Sequence, residues 1–388
     1  MKILAIETSC DDTGISIIKT PQNKKSGFDV LANIISSQIE IHKKYGGVFP
    51  AMAKREHQNN LVPTLEKALK TVGMLKISKN QISDSKNGTL KEILDRESSL
   101  YENLKKFLEK YEKPDIDLIA VTKGPGLEPC LWVGINFAKA LSFFWNISIV
   151  PVNHIEGHIL VNFLDLPLQA GNHKINFPAI SLVVSGGHTQ LILLKKIGNY
   201  EIIGETRDDA AGECFDKAAK ILGLGYPGGP IISKLASQDI KPNTQSPKLP
   251  RPMMNTKDYD FSFSGLKTAI LYHHKKQSIK TQKSKEYITQ MCAEIQQTII
   301  DVLIKKTIKA AKDYKAKTVI LGGGVSANQE LRKQLKEKIK KEILNCDFLV
   351  PEPILSTDNA LMIAITGYFH RTKKIAWQKI KADANLRI

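Results

Sequence analysis

Two histidines four residues apart, His154 and His158 in the run VNHIEGH, fall on one face of a helix and can converge on a single metal ion. Glu156 lies between them. Counted from His154 it is the third residue, where an HExxH protease has its glutamate second, so it points away from the ion the histidines would share. Two imidazoles do not close a metal site. Asp358, in LSTDNALMIA, follows a strand and a polar turn and opens an apolar helix, which makes it the best third ligand; the plainer reading of the same residue is a helix N-cap. Two imidazoles and one carboxylate leave coordination positions open, as a catalytic ion requires, and suit Fe(II) or Zn(II).

A second constellation is a set of glycine-bearing turns: SGGHTQ at 185–190, GYPGGP at 225–230 and LGGGVSAN at 321–328. Glycine lets phosphate or ribose come close to backbone N–H groups, and the loop at 322–324 runs straight into a helix N-terminus that favours an anion. There is no Walker lysine motif and no GxGxxG after the first strand, which disfavours P-loop and Rossmann enzymes. Asp208, Asp209, Glu213 and Asp216 gather before and within one helix; they either cap it or, in the case of Asp216, accept hydrogen bonds from ribose hydroxyls. Asp11, at the tip of the first hairpin, is either a proton acceptor or a stabiliser of the turn.

The elements that must position these residues occur twice. Residues 3–18 (ILAIETSCDDTGISII) and 180–194 (ISLVVSGGHTQLILL) each read as two apolar strands joined by a polar turn. Each hairpin is followed by a strand, a glycine turn, a helix and a strand: DLIAVTKGPGL, VGINFAKALSFFW and ISIVPV, then TVILGGGVSAN, QELRKQLKEKIKKEI and CDFLVPEP. This order predicts a duplicated α/β fold of two similar lobes facing one another across a cleft. We place the N-terminal lobe at 1–160 and the C-terminal lobe at 161–388. Residues 38–72 read as helical on either side of a YGGVFP break, 76–113 as a charged surface insertion, and 238–257 as a loop.

A chain of 388 residues, 42% of them apolar, is long enough for two cores. Its 56 basic against 39 acidic side chains give a formal charge of +17, which steers it toward a polyanion, nucleic acid above all; scattered lysines alone would give the same balance. Five cysteines without a CxxC pair indicate neither a disulfide framework nor a cysteine zinc site and fit a reducing compartment. The opening MKILAIETSC enters a strand at once, and no apolar run is long enough to span a bilayer, so a cytoplasmic protein with no membrane partner is expected.

Taken in order, ETSCDDT, YGGVFP with the following REH, GPGL, VNHIEGH, VSGGHTQL, AGECFDKAAKILGLGYPGGP, FSFSGLKTA, GGGVSAN and STDNALMIA resemble the tRNA adenosine threonylcarbamoyltransferases, formerly called O-sialoglycoprotein endopeptidases. SGGHTQL with its histidine looks like the bacterial and organellar branch. The resemblance covers nearly the whole chain apart from the insertions. It implies an actin-like, acetate and sugar kinase type of fold and one divalent metal per subunit, Fe(II) favoured, on His154, His158 and Asp358. It also implies contacts to threonylcarbamoyl-AMP from Val183, Val184, Ser185, Gly186 and Gly187 and from Asp216, Gly229 and Asn328. The partners implied are tRNA, a paralogous inactive subunit and a small ATPase. Glu128-Pro129-Cys130 in GPGLEPCLWVG departs from the small residues common in the bacterial branch. The readings set against this one are a metal-dependent protease and an actin-like ATPase or kinase of the same fold.

Overall fold

The computed structural model describes residues 1–20, 27–78, 81–165, 175–238 and 247–388. The first half of the chain runs β1 (Lys2–Glu7), β2 (Asp12–Lys19), β3 (Asp29–Ser37), α1 (Ile39–His42), α2 (Pro50–Thr71), α3 (Asp84–Ile93), α4 (Ser98–Lys110), β4 (Leu118–Gly124), α5 (Glu128–Trp145), β5 (Ser148–Asn153) and α6 (His154–Leu160). The second half runs β6 (Ala179–Val184), β7 (Thr189–Lys196), β8 (Asn199–Glu205), α7 (Ala211–Ile221), α8 (Gly228–Ala236), α9 (Ser264–Lys275), α10 (Ile279–Gln282), α11 (Lys285–Asp313), β9 (Thr318–Gly322), α12 (Gln329–Glu342), β10 (Asp347–Leu349) and α13 (Ala360–Phe369).

These strands form two five-stranded sheets of one design. The orders are β3-β2-β1-β4-β5 and, read in the same sense, β8-β7-β6-β9-β10. In each, a three-stranded antiparallel meander joins two parallel strands through its first strand. The repeated hairpin and strand–helix–strand order predicted this duplication. The third meander strands, β3 and β8, were not predicted: they lie at sheet edges and bury little, so their apolar signal is weak.

Two compact units carry the two sheets. One comprises Met1–His42, Val48–Lys174 and Asp358–Ile388, the other Lys43–Gly47 and Ile175–Thr357. The C-terminal segment from Asp358 thus belongs to the first unit, not to a lobe running from 161 to the end. The physical reason is that α13 is apolar all round and packs on the first sheet. Two glycines permit the approach: a Cβ at Gly14 would meet Ala360 N at 2.9 Å, and one at Gly367 would meet Ala120 Cβ at 2.6 Å.

The break at YGGVFP lies where expected, between α1 and α2. The segment 76–113, expected as a charged surface insertion, carries two helices with buried leucines. Helices α3 and α4 bury Leu90, Leu100, Leu104, Phe107 and Leu108 in the core shared with α2 and α5, and a bridge between Ile77 and Tyr111 closes the base. Residues 247–257 form neither helix nor strand, as expected of the 238–257 loop, whose residues 239–246 lie outside those described.

Candidate active site

The first sheet and α13 bring His154, His158 and Asp358 together. Strand β5 ends at Asn153, whose Oδ1 accepts from the N–H groups of Ile155 and Glu156 and so starts α6 at His154. One turn later His158 stacks edge-on against His154, ring centroids 4.7 Å apart. Asn359, not Asp358, is the N-cap of α13, its Oδ1 accepting from Met362 N at 3.1 Å. With the capping role taken by its neighbour, Asp358 turns to the histidines: Oδ1 lies 3.5 Å from His154 Nε2 and 3.3 Å from His158 Nε2.

These residues fit a metal ion. One ligand atom from each lies within 4.8 Å of the other two, and ligands about 2.0–2.2 Å from one tetrahedral ion sit about 3.3–3.5 Å apart. Neither nitrogen of the buried His158 has an assigned hydrogen bond among the described residues, and across the site from Nε2 lies Asp358 Oδ1 at 3.3 Å, the spacing of two ligands of one ion. Burial, opposed by the Asp358 carboxylate, keeps the His158 ring below its usual pKa and hence neutral, the form that ligates. Burial works on His154 in the same direction, but Asp358 and Glu7 outweigh it and raise His154 to about 9. The negative field that would hold a proton on His154 equally favours a cation at Nε2.

Glu7 supplies the second layer. Fully buried at the end of β1, it accepts from Ser9 N at 2.5 Å and from Thr122 Oγ1 at 2.8 Å, and its Oε2 lies 3.1 Å from His154 Nδ1. A carboxylate on Nδ1 places the proton there and frees Nε2 for a metal. Glu156 faces the other way: both its oxygens lie 2.8 Å from Nε2 of His370, the residue that ends α13.

The β1–β2 turn beside the triad carries two acidic groups. Burial, with Asp358 adding repulsion, raises Asp11 above the ordinary carboxylate range and Asp12 to about 7. His57 of α2 braces this turn. Its Nε2 donates to Cys10 O at 3.0 Å and its Nδ1 accepts from Thr13 Oγ1 at 2.8 Å, while burial lowers its pKa to about 4.

In the second unit the glycine turns meet at the ends of β6 and β9. Val183 and Val184 close β6, and Val183 pairs with Gly322. Gly323, at φ +86°, packs so tightly on Val184 that a Cβ would meet the Val184 carbonyl oxygen at 2.4 Å. The start of α7 lies on Ser185 and Gly186, where a Cβ at Gly212 would meet Ser185 O at 2.5 Å. A Cβ on Gly186 or Gly187 would meet nothing within 4 Å, so packing does not require glycine there. Asp216 Oδ1 accepts from Gly228 N at 2.7 Å and braces the turn that carries Gly229. Asn328 caps α12 through Oδ1 and donates from Nδ2 to Gln296 Oε1 at 2.7 Å. Of the acids before α7, Asp208 holds the FSFSG segment by accepting from Ser262, Phe263 and Ser264, and Asp209 pairs with Lys217.

A family model described as tRNA N6-adenosine threonylcarbamoyltransferase matches residues 29–84 and 94–365. The chain belongs to this family. Curated relatives of the same name are 41% identical in Thermomicrobium roseum (100% of this chain, 95% of the relative), 42% in Thermosipho africanus (100% of both) and 42% in Bacillus subtilis (95% and 90%). Among solved structures, full-length HypF in a phosphate- and nucleotide-bound form superposes with a TM-score of 0.50 at 12% identity, over 97% of this chain and 47% of HypF. The duplicated actin-like fold expected from the sequence is thereby shown. The only interior stretch this threonylcarbamoyltransferase model leaves unmatched, 85–93, lies within α3.

Sequence reasoning missed Glu7, His57 and His370. A signal existed for Glu7, a charged residue closing the apolar run ILAI at 3–6 of the central strand and opening the ETSCDDT motif. His57 showed only as the histidine of the REH motif, with no sign of its role, and His370 offered no signal, since its partner is 214 residues away.

Proposed function

We propose that this transferase moves the threonylcarbamoyl group from threonylcarbamoyl-AMP to the N6 amine of adenosine 37, beside the anticodon, in tRNAs reading codons that begin with A. The observation that carries the reading is the His154–His158–Asp358 cluster with buried Glu7 behind it, in a chain of the threonylcarbamoyltransferase family. His154 and His158 through Nε2, and Asp358 through a carboxylate oxygen, would hold one divalent ion, Fe(II) by preference over Zn(II). Such an ion supplies positive charge that neutralises the donor's anionic groups and polarises its carbamoyl carbonyl.

Backbone N–H groups of the 185–187 turn, with Val183, Val184, Asp216, Gly229 and Asn328, bind the adenylate and stabilise charge developing on the carbonyl oxygen. The adenosine amine attacks the carbamoyl carbon, the bond from that carbon to the phosphate oxygen breaks, and AMP departs. Asp11, made a stronger proton acceptor by burial, takes the proton the amine loses. A paralogous inactive subunit and a small ATPase are the proposed partners, in the cytoplasm. No helix among the described residues is long and apolar enough to cross a membrane. The protease reading is disfavoured by Glu156, whose carboxylate is engaged by His370 rather than by a metal-bound water.

The test supplies threonylcarbamoyl-AMP, partner subunits and unmodified tRNA to wild type, His158→Ala and Asp358→Ala, with nucleoside mass spectrometry as readout. Metal-dependent threonylcarbamoyladenosine at position 37, lost in both variants, is expected. Product unaffected by either substitution would remove the metal assignment, and ATP turnover without product would restore the ATPase reading.

A further inference from the structure

The 25 residues from Phe261 to Lys285 contain six lysines and not one aspartate or glutamate. Five of the lysines, Lys275, Lys276, Lys280, Lys283 and Lys285, are exposed along the end of α9, through α10 and onto the start of α11. None of the five forms an ion pair with a described residue. What sets this stretch apart is the absence of interleaved acids. Further along α11 Lys309 pairs with Asp313, and Lys312 and Lys338 both pair with Glu342; the exposed Lys333, Lys336 and Lys340 of α12, though outside any ion pair with a described residue, alternate along the helix with Glu330, Glu337 and Glu342.

The ledge is built to stay in place. Gln282 donates to the carbonyls of His274 and Gln277, Ser278 caps α10, and Ser284 caps α11. Tyr272 stands 61% exposed beside the lysines, a flat ring on which a base can stack. Like charges held close on a rigid surface without counter-ions repel one another, and a polyanion relieves that repulsion while releasing its own condensed cations.

We propose that this ledge, Lys275 to Lys285 with Tyr272, is where the phosphate backbone of the tRNA docks. The proposal rests on the function proposed above, which makes tRNA the substrate, and adds where the chain grips it.

The experiment measures binding of unmodified tRNA to the full-length protein across a salt series for three proteins. These are wild type, Lys280→Gln/Lys283→Gln/Lys285→Gln, and a control with the same charge change on another exposed helix, Lys333→Gln/Lys336→Gln/Lys340→Gln. Each lost phosphate contact should flatten the log–log salt dependence by about 0.7–0.9, so the ledge variant should lose roughly 2 or more in slope and at least about tenfold in affinity near 0.1 M salt. Its thermal melting and metal content should match wild type, and the control should bind as wild type does. Three results would overturn the ledge: a variant with wild-type slope and affinity, a control that loses as much, or loss of binding only to an acidic protein or to anionic vesicles. A wild type that produces threonylcarbamoyladenosine yet shows no salt-dependent tRNA binding would also overturn it while leaving the function intact. Absence of product in wild type would instead remove the function on which it rests.

Discussion

At the scale of single residues the site is a contest between burial and charge. Two imidazoles at opposite ends of that contest show it: Glu7 and Asp358 overcome desolvation at His154, whereas at His158 desolvation wins. Glu7→Gln keeps the shape but removes the charge behind His154, so metal affinity should fall about 10–100-fold with little change in fold, measured by competition with a chromogenic chelator. His57 offers a pH test. Its folded pKa of about 4 lies below the unfolded value of 6.5, so between those values the unfolded chain binds the proton and the folded one does not. Stability is therefore lost as pH falls through that window, by on the order of 3 kcal/mol. An NMR titration should place the His57 midpoint near 4, and urea unfolding of His57→Gln should lack this component; a midpoint near 6.5 would contradict the burial argument.

At the scale of elements, the triad depends on how α6 sits against α13. A Cβ at Gly157 would meet Met362 Cγ at 3.2 Å, which shows how close the two helices run, and Glu156 with His370 ties their far sides together. Removing either partner should speed metal loss without touching a ligand. The Glu156→Ala/His370→Ala double variant should be no worse than the worse single one, because the two act as one link. Additive losses in a stopped-flow chelator assay would show that they act independently. Helix α4 makes a different case. Leu104 is fully buried in the first unit's core, so Leu104→Ala should cost about 2–5 kcal/mol in chemical denaturation, a result foreign to a detachable surface insertion.

At the scale of the whole molecule, all three proposed metal ligands belong to the first unit and the glycine turns to the second. A divalent ion at about 100 times its Kd should therefore stabilise the first unit by roughly 2.7 kcal/mol. Hydrogen exchange should slow in β1, α6 and α13 while β6 and α11 stay unchanged; uniform protection across both units would count against the assignment. The duplicated hairpin and strand–helix–strand order, the helical HxxxH pair and the glycine turns were legible in the amino-acid sequence, because hydrophobic period and turn chemistry are local properties. Local signals could not show that Asn359 takes the cap and frees Asp358, that Glu7 orients His154, or that the last helix returns to the first sheet. Nor could they show that a charged segment buries its leucines against α2 and α5. Each of these depends on which side chain a residue meets across tens to hundreds of positions, and only tertiary packing, with the burial and charge it imposes, decided them.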